Sequence, residues 1–460
     1  MAEKQKPAAA VDDRQLIYQL DGRPSLAVAL PLGLQHVLAM FVGNLAPVLI
    51  LTGLRDAAGV PIATPEQRAL MVQAAMFASG ATTFLQLYGF KIGKLQVGGR
   101  LPIVMGTAFA FVPAMTSVGI EFGMGAVLGA TLLGSVVEML MGIFYKQIEK
   151  VFPPLIIGVV LVSIGLSLLP AGVNYFAGGA GAKDFGSPQN LLLGSVVLLT
   201  IIGVQKLGKG MIKLSAILFG IIVGYALAII MGKVDFTQVT NAKIISIPLP
   251  FFINPAFHLE FIPQAIMTMA FIYVVSGLET MGNTNGITVA AFDREATAQE
   301  TGGSIIADAF GGFIASFFCA PPNTAFGQNA GIVAMTKVVN RFCVATGAIV
   351  LVFAGLFPKV GALFSIMPQS VLGGAVLTVF SMITINGMKL IAKAGFSQAN
   401  LTILSITLGL GYAVALNKGL TAHFPAFLRD TIYHDTTVAV CVVGVLANLI
   451  FREREKKAAA

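Results

Sequence analysis

Long apolar runs alternate with short polar connections along this chain, and the runs have the length a bilayer demands. About 20 consecutive apolar residues cross the hydrocarbon core as a helix, and windows of that kind, nearly free of charge, recur from one end to the other. Bounded by Pro, Gly and charged residues, they predict fourteen segments. The first seven lie at 26–48, 69–89, 102–118, 123–144, 154–172, 190–205 and 214–231. The second seven lie at 263–285, 302–319, 324–336, 343–367, 369–388, 400–417 and 436–451. No polar block is large enough for a separate soluble domain. The pattern predicts an all-α polytopic membrane protein.

Two segments depart from a plain helical span. The third, LPIVMGTAFAFVPAM, holds Pro102, Gly106 and Pro113, and the tenth opens with CAPPNTAFGQNAG. Pro and Gly interrupt helices, so each predicts a short extended stretch followed by a half-helix. Non-helical backbone at membrane depth is tolerated only where protein or a water-filled cavity surrounds it. The two segments also share the tripeptide Thr-Ala-Phe, at Thr107–Phe109 and Thr324–Phe326. Gly33–His36 (GLQH) in segment one is echoed by Gly277–Thr280 (GLET) in segment eight. Both echoes fall at an offset of seven segments, and an odd repeat unit inverts the second copy. The expectation is a 7+7 inverted repeat with its central site at the interrupted segments.

Composition agrees. Of 460 residues, 56% are hydrophobic and 11% charged, with a mean hydropathy of +0.85. A soluble chain of this length needs a more charged surface. The net charge of +8 comes from single Lys and Arg concentrated in the even-numbered connections and the two tails. By the positive-inside rule both termini are cytoplasmic, and no nucleic-acid-binding face is implied. Cys319, Cys343 and Cys441 lie in apolar stretches without ligand or disulfide spacing, and the His residues are dispersed, so neither a metal nor a cofactor is expected. The first 24 residues show no removable signal peptide.

Candidate chemistry is confined to a few polar residues within apolar segments. Glu279, in SGLETMG, is either a helix-end residue or a midplane acid that binds a polar solute, takes up a proton, or both. Asp308, in IIADAFGG, reads as a structural acceptor or a proton relay. Gln35 and His36 sit mid-segment, and a packed hydrogen-bond anchor is favoured for His36 over direct ligand contact. A half-helix beginning near Gln328-Asn329 would turn its free N–H groups and positive dipole end inward. Asn329 could cap that helix or fix the facing strand. Gln328 offers one acceptor and two donors, the complement of a lactam edge. Gly327 and Gly331 would permit close backbone approach, and Phe109 or Phe326 could stack on a flat ring. The set suits a planar heterocycle better than a sugar or an inorganic ion.

At these residues the chain resembles the nucleobase–ascorbate transporter family. Its signature, Gln/Glu/Pro-Asn-x-Gly-x-x-x-x-Thr followed by Arg, Lys or Gly, reads here from Gln328 through Asn329 and Gly331 to Thr336-Lys337. Gln35-His36 is similar to the family's Gln-His pair, and Glu279 and Asp308 stand at its eighth-segment Glu and ninth-segment Asp. The resemblance implies a core domain at 25–151 and 263–367, a gate domain at 152–262 and 368–451, and tails at 1–24 and 452–460. It also implies an elevator-like displacement of core against gate, a homodimer in the cell's inner (plasma) membrane, and proton rather than sodium coupling. Glu279 and Gln328 would hold a nucleobase, with Phe109, Ala110, Phe111, Ala325, Phe326 and Gly327 lining the site. Gln328 at the first signature position resembles the xanthine and uric acid carriers, whereas uracil carriers tend to have Glu. Two positions depart from the xanthine-selective pattern: Asn283, one turn after Glu279, and Ala110, where a larger Asn occurs in some members. The alternatives are a uracil or other nucleobase symporter, an anion exchanger of the same architecture, or a channel. A channel would want rings of polar residues along several helices, and an enzyme is not expected.

Overall fold

Prolines and small hydroxyl or amide side chains set where the helices begin. The computed structural model describes residues 13–56, 58–149, 151–421, 423 and 436–451. Pro65, Pro154, Pro188, Pro263 and Pro358 stand at helix starts, where the missing N–H costs nothing. Thr64, Ser187, Thr297, Asn340 and Ser397 accept a backbone N–H of the first turn that follows each of them.

The first half contains α1 (Leu26–Thr52), α2 (Pro65–Tyr88), a β1 (Phe90–Ile92) and β2 (Leu95–Val97) hairpin, and β3 (Met105–Thr107). After a 3₁₀ turn at Phe109–Phe111 come α3 (Val112–Phe122), α4 (Met124–Ile143), α5 (Pro154–Phe176), α6 (Pro188–Leu207) and α7 (Ala216–Ile230). The second half contains α8 (Pro263–Phe292), α9 (Ala298–Phe317), β4 (Asn323–Ala325), α10 (Gly327–Thr336) and α11 (Arg341–Gly355). It continues with α12 (Pro358–Ser365), α13 (Gln369–Ala394), α14 (Gln398–Leu416) and α15 (Thr436–Phe451). Among the described residues, seven helices are long and apolar enough to cross a membrane: α1, α2, α4, α5, α6, α8 and α13. The α11–α12 pair makes an eighth if its two arms, bent by 81°, count as one span. That bend differs from the single run expected at 343–367, and Pro358 at the first position of α12 marks the break. The β1–β2 hairpin is a second departure from an all-helical reading, turning at Gly93 with φ +60°.

Helix packing is selective. The α4 helix lies against α8 and α9, α11 lies against α1 and α2, and α5 runs along α13. The α6 helix packs on α7, and α14 packs on α15. Glycine allows the closest crossing: a methyl on Gly158 would lie 2.8 Å from the Gly387 carbonyl oxygen, and one on Gly387 would lie 2.5 Å from that of Gly158. Two sites from the internal echo are crossings as well. Gly33 meets Thr346 of α11, and Gly277 meets Met141 of α4.

Candidate functional site

The extended stretches of segments three and ten pair with each other. Strands β3 and β4 are antiparallel, with Met105 opposite Ala325, Gly106 opposite Thr324 and Thr107 opposite Asn323. Two further backbone bonds extend the ladder, from Ala108 N–H to Pro322 O at 2.8 Å and from Phe326 N–H to Val104 O at 2.9 Å. Each strand runs straight into a half-helix, through Phe109–Phe111 into α3 and through Gly327 into α10.

Strands buried on all sides must find partners for every N–H and C=O. Side chains of neighbouring helices supply them here. Asn44 Oδ1 on α1 accepts from Thr107 N–H at 2.8 Å, Thr107 Oγ1 at 3.0 Å and Ser79 Oγ at 2.7 Å. Thr83 Oγ1 on α2 accepts from Met105 N–H at 3.0 Å, and Thr82 Oγ1 accepts from Asn323 Nδ2 at 3.1 Å. On the far side, Asp308 Oδ2 accepts from Thr280 of α8 and from Thr324 of β4, the latter at 3.0 Å. Asp308 is fully buried and braces β4 rather than facing open space.

Several of the polar residues beside the strands position backbone. Asn283 Nδ2 donates to Ala325 O at 2.7 Å. A methyl on Gly327 would strike Asn283 Oδ1 at 2.5 Å, so only glycine lets α8 approach the α10 start this closely. Gly331 differs from expectation, because nothing lies within 4 Å of a methyl built there. The His36 and Asn329 side chains meet at 2.9 Å between Nδ1 and Nδ2, which ties α1 to α10. Both are buried. Gln35 is half-buried beside them in sequence.

The aromatic candidates divide. The Phe326 ring is packed against Gly43 and Gly106 and is 4% exposed, so it serves as a wedge between α1 and β3. Phe109 sits edge-on to Phe380 of α13 with centroids 5.7 Å apart. Phe111 packs on Tyr273 of α8 at 4.6 Å. Ala110 and Ala325 are fully buried.

Glu279 and Gln328 remain. Both are half-buried. Glu279 neighbours Asn283 one turn further along α8, and Gln328 follows the Gly327 that Asn283 touches. Among the described residues the Gln328 amide is committed to no protein partner. A half-buried carboxyl and a free amide thus stand on two elements joined by Asn283. A cavity of about 270 Å³ at the Thr52 end of α1, lined by Arg55, Arg68, Gln238 and Gln369, is separate from this site.

The signature also has a structural ending. Lys337 takes a left-handed conformation, φ +58°, at the close of α10, and its Nζ donates to Ala290 O near the end of α8 at 2.9 Å. A cation at helix C-termini is favourable. The motif from Gln328 to Lys337 therefore spans one half-helix from mouth to cap.

A pattern described as the Permease family matches residues 28–419. The chain belongs to this family. It is the nucleobase–ascorbate transporter family that the signature resembles, and its members are permeases rather than enzymes. The chain is 33% identical to a xanthine permease of Bacillus subtilis (strain 168) over 435 residues, which is 93% of this chain and 95% of that protein. It is 34% identical to the uric acid permease PucJ of the same organism over 434 residues, 93% of each chain. In structure it is similar to the transmembrane domain of a cyanobacterium bicarbonate transporter, BicA, with a TM-score of 0.52. That likeness covers 94% of this transporter and 100% of the other chain at 14% identity, and it shows a shared membrane-transporter fold.

Asn44, Thr82, Thr83, Thr280 and Glu138 were not singled out from the sequence. The available signal was polarity inside apolar windows, at FVGNLAP and GSVVEMLMG. Glu138 is fully buried.

Proposed function

We propose that this transporter imports an oxidised purine, xanthine or uric acid, together with a proton. The observation that carries the reading is that Asn283, one turn from the half-buried Glu279 on α8, touches Gly327, which immediately precedes the uncommitted Gln328 amide at the mouth of α10. A carboxylate accepts from ring N–H groups, and an amide matches the alternating N–H and C=O of an oxidised purine edge. The names of the relatives above support the same substrate class.

The transport cycle is read as an elevator, with α1–α4 and α8–α12 as a core that slides against a gate of α5–α7 and α13–α15. Helix packing supports the repeat behind this division. Shifting each segment by seven turns the α4–α9 contact into α11–α2, α4–α8 into α11–α1, and α6–α7 into α14–α15. Fourteen segments with both termini cytoplasmic, a homodimer and a plasma-membrane location complete the proposal. A uracil carrier of the same family is the runner-up.

The test is uptake of labelled xanthine in cells lacking their own nucleobase permeases. Uptake that a protonophore abolishes, and that uric acid but not uracil blocks, is the expected result. Absence of xanthine uptake, or block by uracil alone, would overturn the substrate reading. Exchange or uptake of bicarbonate would move the protein to the anion-carrier alternative.

A further inference from the structure

A second carboxyl lies deep in the molecule, away from Glu279 and Gln328. Glu138 is on α4, and Gly134 and Gly142 stand one turn to either side of it on the same face. A methyl on Gly134 would come within 2.9 Å of the Tyr273 ring, and one on Gly142 within 2.9 Å of the Gly302 carbonyl oxygen. These glycines seat α4 directly on α8 and α9, so Glu138 is sealed between helices with no exposed surface.

What it meets there is another acid. The Glu138 carboxyl interacts with that of Asp308, and a methyl on Gly277 would lie 3.6 Å from Glu138 Oε1. Asp308 Oδ2 takes hydroxyl donors from Thr280, from Thr324 at 3.0 Å and from Ser276 at 3.4 Å. Three buried oxygens are left with no donor: Asp308 Oδ1 and both oxygens of Glu138. Among the described residues no salt bridge reaches either group. The other titratable groups turned toward the pair are Tyr273 and Glu279 of α8. The other elements against α4 bring Glu121 of α3 and Glu260 near its start and Tyr145 and Lys146 just beyond its end, all far along the helix from Glu138.

Two carboxylates in contact in a dry site, without a cation, cannot both be ionised. We propose that Glu138 and Asp308 form a proton-binding site in which one proton is held between them. The donors decide the arrangement. Asp308, with three hydroxyls on one oxygen, is the carboxylate, and Glu138, with Ser276 alone beside it, carries the proton and donates it to Asp308 Oδ1. A single proton thereby satisfies the orphaned oxygens that face each other. Because Asp308 also holds Thr324 of β4, losing that proton would place two charges behind the strand that leads to Gln328. The role of this site in coupling rests on the transport reading above; the existence of the shared proton does not.

Infrared spectroscopy of the purified full-length protein, without substrate at neutral pH, tests this. A protonated carboxyl shows a carbonyl stretch that shifts in D₂O, and the pair predicts one that Glu138→Gln removes and Asp308→Asn shifts. Survival of every such band in Glu138→Gln, or an unshifted Glu138 band in Asp308→Asn, would overturn the proposal. Should Glu138→Gln not accumulate, Glu138→Asp serves instead: the shorter acid should move the band, and an unmoved band counts against the pair. Xanthine uptake is measured separately on the same preparations in vesicles. Loss of the substrate reading leaves the spectrum unchanged, whereas a missing band with intact uptake rejects the site alone.

Discussion

His36 on the first helix and Asn329 on the tenth segment's half-helix meet at 2.9 Å through Nδ1 and Nδ2. An amide nitrogen can only donate, so His36 accepts at Nδ1 and keeps its proton on Nε2. The contact fixes the second signature residue beside Gln328. His36→Leu, which leaves the buried amide only its longer 3.4 Å bond to the residue 36 carbonyl, should cost about 1–3 kcal/mol and raise KM for uptake by roughly tenfold or more. His36→Gln, which retains an acceptor, should recover much of it. Equal KM values for the two variants would remove the contact from the account.

Asn283 holds Ala325 O at 2.7 Å. Asn283→Ala should weaken substrate competition by roughly tenfold, the value of one lost buried hydrogen bond. Asn283→Asp should do more harm when ionised, because a carboxylate would face that carbonyl. Competition constants for xanthine in the two variants make the check.

The two phenylalanines should separate stability from affinity. Phe326 is a wedge among Gly43, Gly106 and Met40, so Phe326→Ala should cost about 3–5 kcal/mol, read as a fall in melting temperature in detergent. Phe109→Leu should leave the melting temperature within a few degrees and raise KM. The reverse ranking would exchange their assigned roles.

Ala110 is fully buried behind the strand pair. Ala110→Asn enlarges the side chain at the turn into α3 and should lower uric acid uptake relative to xanthine. An unchanged ratio of the two rates would mean that room at this position does not set substrate size.

At the other end of α9, Arg294 clasps Glu300 with two bonds of 2.6 and 2.8 Å. Partial burial pushes the Glu300 carboxyl up, but Arg294 and Thr297 outweigh it and hold the carboxyl below its ordinary 4.5. With the folded value depressed, the contribution to stability is present above the ordinary value and fades as pH falls through the lowered one. Glu300→Gln should therefore melt earlier than wild type at neutral pH, with the gap closing below about pH 4.5. A gap that stays constant on acidification would assign Glu300 a purely steric role.

The membrane-transporter class was legible because apolar length and Pro/Gly interruption are local properties. The extended stretches at Met105–Thr107 and Asn323–Ala325 could be expected for the same reason. Their mutual pairing could be inferred only through the faint Thr-Ala-Phe echo, since register is a property of two distant segments. The wedge position of Phe326 was not legible because sequence shows a ring's chemistry and not its direction. Glu138 and Asn44 escaped because a single polar residue in an apolar run announces nothing about its partner. The β1–β2 hairpin had a signal in the alternation of FKIGKLQV around Gly93, which the long hydrophobic windows obscured.

The strand pair has a consequence for how this protein comes into being. β3 is synthesised long before β4, with roughly two hundred residues between them. Until the later strand arrives, the earlier one sits at membrane depth with backbone groups that neither lipid nor its own helix can satisfy. The nascent first half must therefore be sheltered, by lipid headgroups, water or the insertion machinery, and a chain cut short before Asn323 would advertise its incompleteness. The same clasp that builds the site leaves it unfinished until the second half is under way, a natural point at which a cell can tell an advancing carrier from an abandoned one.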